Sequence, residues 1–556
     1  MLFVKKIDDC DGNVLKIKNK RSHKNLAIAQ VQGTKNLKNQ MKSSNPKIAF
    51  LSVLFLLGIL GSCSKDSEIS IDTPTTKPLI RSFSFLASNN EQLTEDVYLD
   101  IKGKTIEGVL PTSNSAENLI ATFIFDGEKV FVNDIEQVSG ISQNNFNVPI
   151  NYTVRTNEGE SKSYRVTLLN KIDEPEVGEI STTYINTNGG VAIDSKENYL
   201  EGSISISGIS QEEEQEEVSD ALMKIRGRGN STWGLHDKKA YQLNMAEKTR
   251  MYGMKSDKRW IFLAEHSDKT LMRNKIAYEM GYLSKLDWTP QSVYSEVYLN
   301  NEFLGGYHVC QKIEQGNNRV DVGETGYLLE IDQIDRLDFD DVYFETDEFL
   351  INIKAPKLNF GSTEYNYIKD WITEFENVLK SSAFSDPTQG YQKYIDVDSF
   401  VDWYLINEIT KNQDARNYSS IYLNVIPGEK IKMGPLWDFD LAFGNVNYSE
   451  CEYPEGFWVK DNAWYRRLFE DPIFVNKVKT RFAYFRSQQA FLLQRIDFYA
   501  SYLDELQQKN NARWDVLGKF LWPNPVAFET YEQEVDYLKF WYNQRMDWLD
   551  NAIGNL

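Results

Sequence analysis

Hydrophobic and polar positions change period along the chain. Between Leu79 and about Leu169 they alternate in short runs. Thr122-Phe123-Ile124-Phe125 precedes Asp126-Gly127 and Val130-Phe131-Val132 follows it, while Tyr152-Thr-Val154 and Tyr164-Arg-Val166-Thr-Leu168 flank Asn157-Glu158-Gly159. Period-two segments joined by turn dipeptides predict a small antiparallel β-sandwich over residues 78–170. Beyond Asp173-Glu174-Pro175 a larger unit, residues 175–556, is strand-rich to about residue 310. An acidic run at residues 212–217 interrupts it and reads as a solvated insertion loop. After about residue 360 the period becomes helical: Ile368, Trp371, Ile372, Phe375, Val378 and Leu379 recur at helical spacing, as do Phe400, Trp403, Tyr404 and Ile406. A β-rich half followed by a helical half predicts an α+β unit of two lobes, strand-rich over about 175–310 and helical over about 326–556. Ligands tend to bind where such lobes meet.

Composition adds an asymmetry. The 556 residues carry a formal charge of −20, but residues 1–62 hold 11 Lys/Arg against 3 Asp, leaving 50 against 78 for the remainder. An acidic body of this kind excludes a nucleic-acid role driven by phosphate neutralisation. The basic start ends in an apolar run, residues 48–60, shorter than the roughly 20 residues that span a bilayer. Basic flank, apolar middle and small residues at the end are the layout of a secretory signal. Cys63, directly after Leu60-Gly61-Ser62, resembles the acylated cysteine of the lipobox in bacterial lipoproteins. That resemblance implies lipidation at Cys63, a membrane attachment through this lipid alone, and residence at the outer membrane or cell surface. Residues 1–62 are then an extended start and signal peptide, with Met1 and Met41 as alternative starts. Residues 63–77, rich in Ser, Thr, Asp and Pro, are a tether. The sandwich after the tether is similar to the immunoglobulin-like modules of surface lipoproteins and reads as a spacer. Cys310 and Cys451 are compatible with one disulfide or with two separate buried thiols. Without HExxH or a CxxC pair, a His-ligated zinc site does not fit.

The stretch richest in chemistry runs from Asn412-Gln-Asp414-Ala-Arg-Asn417 to Gly434-Pro-Leu-Trp-Asp438-Phe-Asp440. Two β-prone runs around Pro427-Gly428 predict a hairpin whose facing residues have numbers summing to about 855. Asp414 then lies opposite Asp438 and Asp440 at the open end. Carboxylates gathered there repel unless a cation or a shared proton compensates. One or two carboxylates, an amide oxygen and substrate phosphates make a magnesium shell. Protein kinases use such a set, in which one Asp accepts the substrate hydroxyl proton while an Asn and a second Asp hold metal. The alternative is that Trp437 and Phe439 are core residues and the acids cap loops.

Five motifs in order carry a family resemblance. They are Arg226-Gly-Arg228-Gly229-Asn230-Ser231-Thr232-Trp233, then Lys238-Lys239-Ala-Tyr241, then Asp268-Lys269-Thr270-Leu271-Met272-Arg273-Asn274, then Glu296-Val-Tyr-Leu-Asn300 with Gly305-Gly306-Tyr307, and finally Gly434-Pro-Leu-Trp-Asp438-Phe-Asp440. Over roughly residues 180–550 the chain resembles the CotH kinase family of secreted or surface-located atypical protein kinases. The resemblance implies a bilobal protein-kinase-like domain, ATP and Mg2+ (or Mn2+) as cofactors, and transfer of the γ-phosphate to Ser or Thr hydroxyls.

On that reading Asp414 is the catalytic base, and Asp438, Asn417 and Asp440 hold metal. Alternation in Lys239-Ala-Tyr241-Gln-Leu243 turns Lys239 inward with Tyr241 and Leu243 and Lys238 outward, so Lys239 pairs with the nucleotide phosphates. Glu279 falls on the same helix face as Met272, Ile276, Met280 and Leu283, and its cation is Lys239 or a local Lys such as Lys275. Arg226 and Arg228 clamp phosphate or pair with the acidic surface, and Gly227 and Gly229 let backbone N–H groups approach phosphate. The chain departs from the kinase pattern in three places. The loop reads GxGxxT, Ser419 stands where the metal-binding Asn is usual so that Asn417 must substitute, and Asn412-Gln-Asp414 replaces HRD.

The acidic segment at residues 335–341 favours a Lys/Arg-rich protein substrate by steering. Oligomeric state is open. Two other readings stand beside the kinase: a catalytically inactive, kinase-like surface adhesin or glycan-binding lipoprotein, and a glycoside hydrolase with two carboxylates flanking a cleft. The motifs argue against the last.

Overall fold

The computed structural model describes residues 77–93, 95–110, 116–146, 149–170, 179–208 and 218–556. The predicted signal segment, Cys63, the predicted tether up to residue 76 and the acidic run at 212–217 lie outside the described residues. The chain is multidomain in character, with a β-rich N-terminal region and an α+β remainder.

The N-terminal region builds its core from aromatic residues on alternate strand positions. Phe83, Phe85, Phe123, Phe146 and Tyr152 are buried together, with Phe83 stacked on Phe123 and edge-on to Tyr152. Asn157-Glu158-Gly159 closes an antiparallel hairpin, Arg155 facing Ser161. Two features differ from the simple antiparallel expectation. Asp126-Gly127 passes the chain from a three-stranded to a six-stranded sheet, and Thr105–Leu110 pairs in parallel with Ser161–Asn170. A parallel pair needs a long crossover, which local alternation does not encode.

The strand-rich part of the larger unit closes into a barrel. Its strands are β1 (Ser181–Thr187), β2 (Leu200–Ser207), β3 (Ala221–Arg228), β4 (Ala240–Thr249), β5 (Asp257–Leu263), β6 (Ser292–Leu299) and β7 (Glu302–Gln311), in the order β1-β2-β3-β4-β5-β7-β6. Closure comes from β1 pairing in parallel with β6, which leaves no exposed edge. Inward residues such as Ile204, Ile225, Leu243, Trp260, Phe262 and Val309 fill the interior. Helix α1 (Arg273–Tyr282) is inserted between β5 and β6, and Arg273 through Gly281 are all buried.

The remainder is not purely helical. Strands β8 (Tyr327–Asp332), β9 (Tyr343–Glu345), β10 (Leu350–Ala355), β11 (Ile421–Val425) and β12 (Lys432–Met433) form an antiparallel sheet in the order β9-β10-β8-β11-β12. This part also holds helices α2 (Thr363–Lys380), α3 (Val397–Ile409), α4 (Pro472–Ser487), α5 (Gln489–Tyr502), α6 (Asp504–Trp514) and α7 (Tyr531–Gly554), with a short helix at Ala463–Leu468 before α4. On α2 the predicted stripe is the buried face, with Ile368, Ile372, Phe375 and Leu379 inward, and Ser362 caps its start by accepting from the Tyr365 N–H. Cys310 and Cys451 are two buried free thiols.

One buried ion pair ties the end of α3 to α7. Arg545 Nη2 lies 2.6 Å from Glu408 Oε1, both side chains fully buried. Arg545 also donates to the Pro454 and Gly456 carbonyls at 2.6 and 2.7 Å, while Glu408 accepts the Trp458 and Lys460 N–H groups. Removing one partner leaves an uncompensated buried charge. Arg545→Ala is therefore expected to lower unfolding stability by about 3–5 kcal/mol in denaturant titration. A loss under about 1 kcal/mol would contradict this account of the α3–α7 tie.

Candidate active site

The hairpin sets the site. β11 and β12 pair at Leu423↔Met433 and Asn424↔Lys432, numbers summing to 856 against the predicted 855. The turn closes with the Glu429 N–H on the Ile426 carbonyl. At the open end Asp414 sits in a short 3-10 turn, Asp414–Arg416, and Asp438 follows Trp437. Ser420 donates to Asp438 Oδ2 at 3.3 Å, and Ser267 to Asp440 Oδ2 at 3.4 Å. Asp438 has φ +68°, a left-handed conformation that costs an L-residue about 1–2 kcal/mol and that Asp tolerates better than most.

All three acids face one cleft of about 400 Å³, bounded by the barrel, the antiparallel sheet and the segment around Trp522. Seven basic and eight acidic side chains line it, the wall of a site for a highly charged ligand rather than an apolar one. Burial, then the neighbouring Asp438, lifts Asp414 to about 7, with Arg336 opposing the rise. Burial, Asp438 and Asp414 together push Asp440 well above the usual carboxylate range. These shifts are the mark of carboxylates that are buried first and crowded by like charges second.

Two cations across the cleft have the converse property. Arg228 rests its guanidinium 4.9 Å above the Trp437 ring, and Lys312 lies just past the end of β7. Neither side chain makes a hydrogen bond or close ion pair with another described residue. Burial lowers Lys312 to about 8, Glu314 opposing, and Arg228 is among the cations that add to the lowering. Arg226 is more engaged: it stacks over Tyr199 and donates to the Lys196 carbonyl.

Several expected placements are corrected. Lys239 does not point into the cleft; its ammonium donates to the Trp233 and His236 carbonyls at 2.7 and 2.5 Å, capping the short helix Ser231–Leu235. Lys238 is the inward one, 1% exposed, bonded to Asn510 Oδ1 at 2.9 Å and lowered to about 7 by burial against the pull of Glu265. Strand β4 begins only at Ala240, so its alternation does not extend back over the lysine pair. Glu279 is buried, and its cation is Arg495 at 2.8 Å, with Tyr499 donating at 2.6 Å, rather than Lys239. Asn417 is exposed and lies outside the cleft wall. Gly227 owes its lack of a side chain to packing, since a Cβ there would meet the Trp233 ring at 2.2 Å, and its N–H already donates to Ser195.

Sequence reasoning missed Lys312, Glu265 and Asn274 as site residues. Asn274 lay within a quoted motif, and its position at the start of a helix was the available signal. Lys312 directly follows β7, whose last residues, His308 to Gln311, are all buried. Glu265 had no signal, because its surroundings come from β7 and α1.

Among the described residues no three of His, Cys, Asp and Glu approach closely enough to hold one ion. An ion here takes at most two of the aspartates, which suits Mg2+, a cation that keeps waters and binds through one or two carboxylates and phosphates. The donor set therefore fits a hydrated magnesium and not an all-protein metal cage.

The sequence pattern of the CotH kinase protein family matches residues 225–549. The chain belongs to the CotH kinase family. The matched span of this CotH kinase family member includes Arg228, Lys312, Asp414 and Asp438. No curated protein matches it. One solved structure, described as a candidate glycoside hydrolase from Bacteroides thetaiotaomicron, shares 12% identity over 54% of this chain and 88% of its own, with a TM-score of 0.14. At that score it carries no argument about fold or reaction.

The raised Asp414 gives the family member a pH signature. Its carboxyl holds a proton in the native state that the unfolded chain releases from about pH 4 upward, so stability falls as pH rises from about 4 to 7. In EDTA, Asp414→Asn is expected to raise the melting temperature relative to wild type at pH 8 and to leave it unchanged near pH 4. An equal difference at both pH values would contradict the assigned shift.

Proposed function

We propose that this protein is an exported, lipid-anchored protein kinase that transfers the ATP γ-phosphate to Ser or Thr hydroxyls in a Mg2+-dependent reaction. One observation carries the proposal: Asp414 and Asp438 converge at the open end of a hairpin, in a cleft that also presents Arg228 and Lys312, whose charged ends make no hydrogen bond or close ion pair among the described residues. Acids and cations in one cleft that are not directly paired with each other are what a metal–polyphosphate ligand would complete.

Asp438 and Asp440 would hold the metal, and Arg228 and Lys312 would pair with phosphate oxygens. Bound magnesium would supply charge neutralisation on the transferring phosphoryl group. Asp414 accepts the proton of the acceptor hydroxyl; its shift to about 7 suits a base working near neutrality. Ser420 orients the Asp438 carboxylate. Arg336, stacked on Tyr418, supports Asp414 electrostatically. Exposed Asp335, Asp338 and Asp340 beside this end of the cleft support a Lys/Arg-rich protein substrate. Export and the anchor rest on residues 48–63 of the sequence. The N-terminal β-rich region is proposed as an immunoglobulin-like spacer.

A second reading, an inactive kinase-like surface protein, draws support from the exposure of Asn417, which leaves the usual metal-binding Asn position without a counterpart in the cleft.

Radiolabelled ATP separates the two. Wild type is expected to incorporate label with Mg2+ and to lose it with EDTA. Asp414→Ala should cut incorporation by about 10²–10⁴ while keeping nucleotide binding, and Asp438→Ala should abolish the magnesium-dependent part of nucleotide binding. Absence of any Mg2+-dependent ATP binding by wild type would reject the kinase and leave the second reading.

A further inference from the structure

Asp438 is held in a left-handed conformation, φ +68°, that costs an L-residue about 1–2 kcal/mol. Something must fix the peptide that follows it. Two asparagines grip that one peptide unit from opposite ends. Asn412 Nδ2 donates to the Asp438 carbonyl at 3.2 Å, and the Phe439 N–H donates to Asn274 Oδ1 at 2.7 Å. Both asparagines are 3% exposed, so water does not compete for either bond.

Each amide is itself oriented from behind. Asn274 Nδ2 donates to both oxygens of Glu265, at 3.1 and 3.2 Å, which leaves only its oxygen to face Phe439. Glu265 is buried and shares a hydrogen bond of 2.9 Å with His308 Nδ1 on β7. Asn412 Nδ2 also donates to Asn407 Oδ1 at 3.2 Å, and Asn407 in turn donates to the Trp403 carbonyl within α3. A flip of the 438–439 peptide would break both bonds at once and release the backbone from which the Asp438 carboxylate projects. The two grips start on different elements, α1 and the segment after α3, so the barrel insertion and the helical part are registered against each other at this peptide.

We propose that Asn274 and Asn412 are positioning residues: they clasp the Asp438–Phe439 peptide from its two ends and so hold the Asp438 carboxylate ready for a divalent cation, with Glu265 setting the orientation of the Asn274 amide. The inference rests on Asp438 being a metal ligand. It predicts that shape-preserving loss of either amide weakens metal binding even where the fold survives, because supporting partners of a ligand commonly tune affinity 10–100-fold.

The test titrates Mn2+ into the full chain and reads free Mn2+ by its electron paramagnetic resonance signal, beside a thermal melt in EDTA. Wild type is expected to bind Mn2+, and Asp438→Ala to lose it. Asn274→Leu and Asn412→Leu should each weaken binding by about 10–100-fold. The double variant Glu265→Gln with Asn274→Asp reverses the polarity of that pair: the new Gln amide can donate to Asp, whose other oxygen still accepts the Phe439 N–H. It should bind Mn2+ within about threefold of wild type, an allowance well inside the 10–100-fold loss expected of the single variants. Folded Asn→Leu variants with wild-type Mn2+ affinity would overturn the clasp while leaving Asp438 as a ligand. Should Asn274→Leu fail to fold, Asn412→Leu and the double variant decide, and loss of Mn2+ binding by a folded double variant would also overturn it. A wild type that binds no Mn2+ sensitive to Asp438→Ala would instead reject the metal reading itself.

Discussion

Mutual repulsion between carboxylates in a partly buried cleft is the constraint around which this site is arranged. At an effective dielectric near 20, two like charges a few ångströms apart cost several kcal/mol. The protein answers in two ways. Proton affinity is raised, as on Asp414 and Asp440, and cations are kept nearby without direct pairing, as at Arg228 and Lys312. A site left in this condition gains most when a ligand arrives carrying both signs. The affinity of such a site for a metal–polyphosphate would follow from the scaffold's own unbalanced charge, not from shape alone.

Holding such a cleft open requires a stiff frame. Barrel closure through β1 and β6 removes the edges on one side. On the other, the Glu408–Arg545 pair fixes α3, which runs directly into the segment bearing Asn412 and Asp414. Lys411, just before Asn412, donates to the Glu450, Tyr453 and Glu455 carbonyls and ties that segment to the loop after Asp440. Buried charges that look expensive in isolation thus share one task, which is to fix the backbone on either side of the acids.

How far the site could be read from residues alone depended on distance along the chain. The hairpin was legible because Pro427-Gly428 and its flanking β-prone runs are local, and its register came out one unit from the arithmetic. The stripe on α2 was legible for the same reason. The lysine pair failed by one residue, because alternation holds only within a strand and β4 starts at Ala240. The partner of Glu279 failed more deeply: Arg495 lies 216 positions away, on a helix whose packing against α1 no local pattern announces. The five-stranded sheet inside the expected helical half failed likewise, since β8 sits between β10 and β11 rather than beside its neighbours in sequence.

Motif residues also proved to serve different ends from those their spacing suggested. Gly227 makes room for Trp233, and Trp233 in turn offers its carbonyl to Lys239, so much of the glycine-rich motif builds its own support. Asn274 sits in a motif with Asp268, which caps α1 by accepting the Arg273 N–H at 2.7 Å. That cap positions the first residues of α1, and from there Asn274 reaches the Asp438–Phe439 peptide. The motif's effect on the acids therefore passes through helix geometry. A residue type chosen to start a helix and a residue type chosen to grip a peptide stand six positions apart because one orients the other.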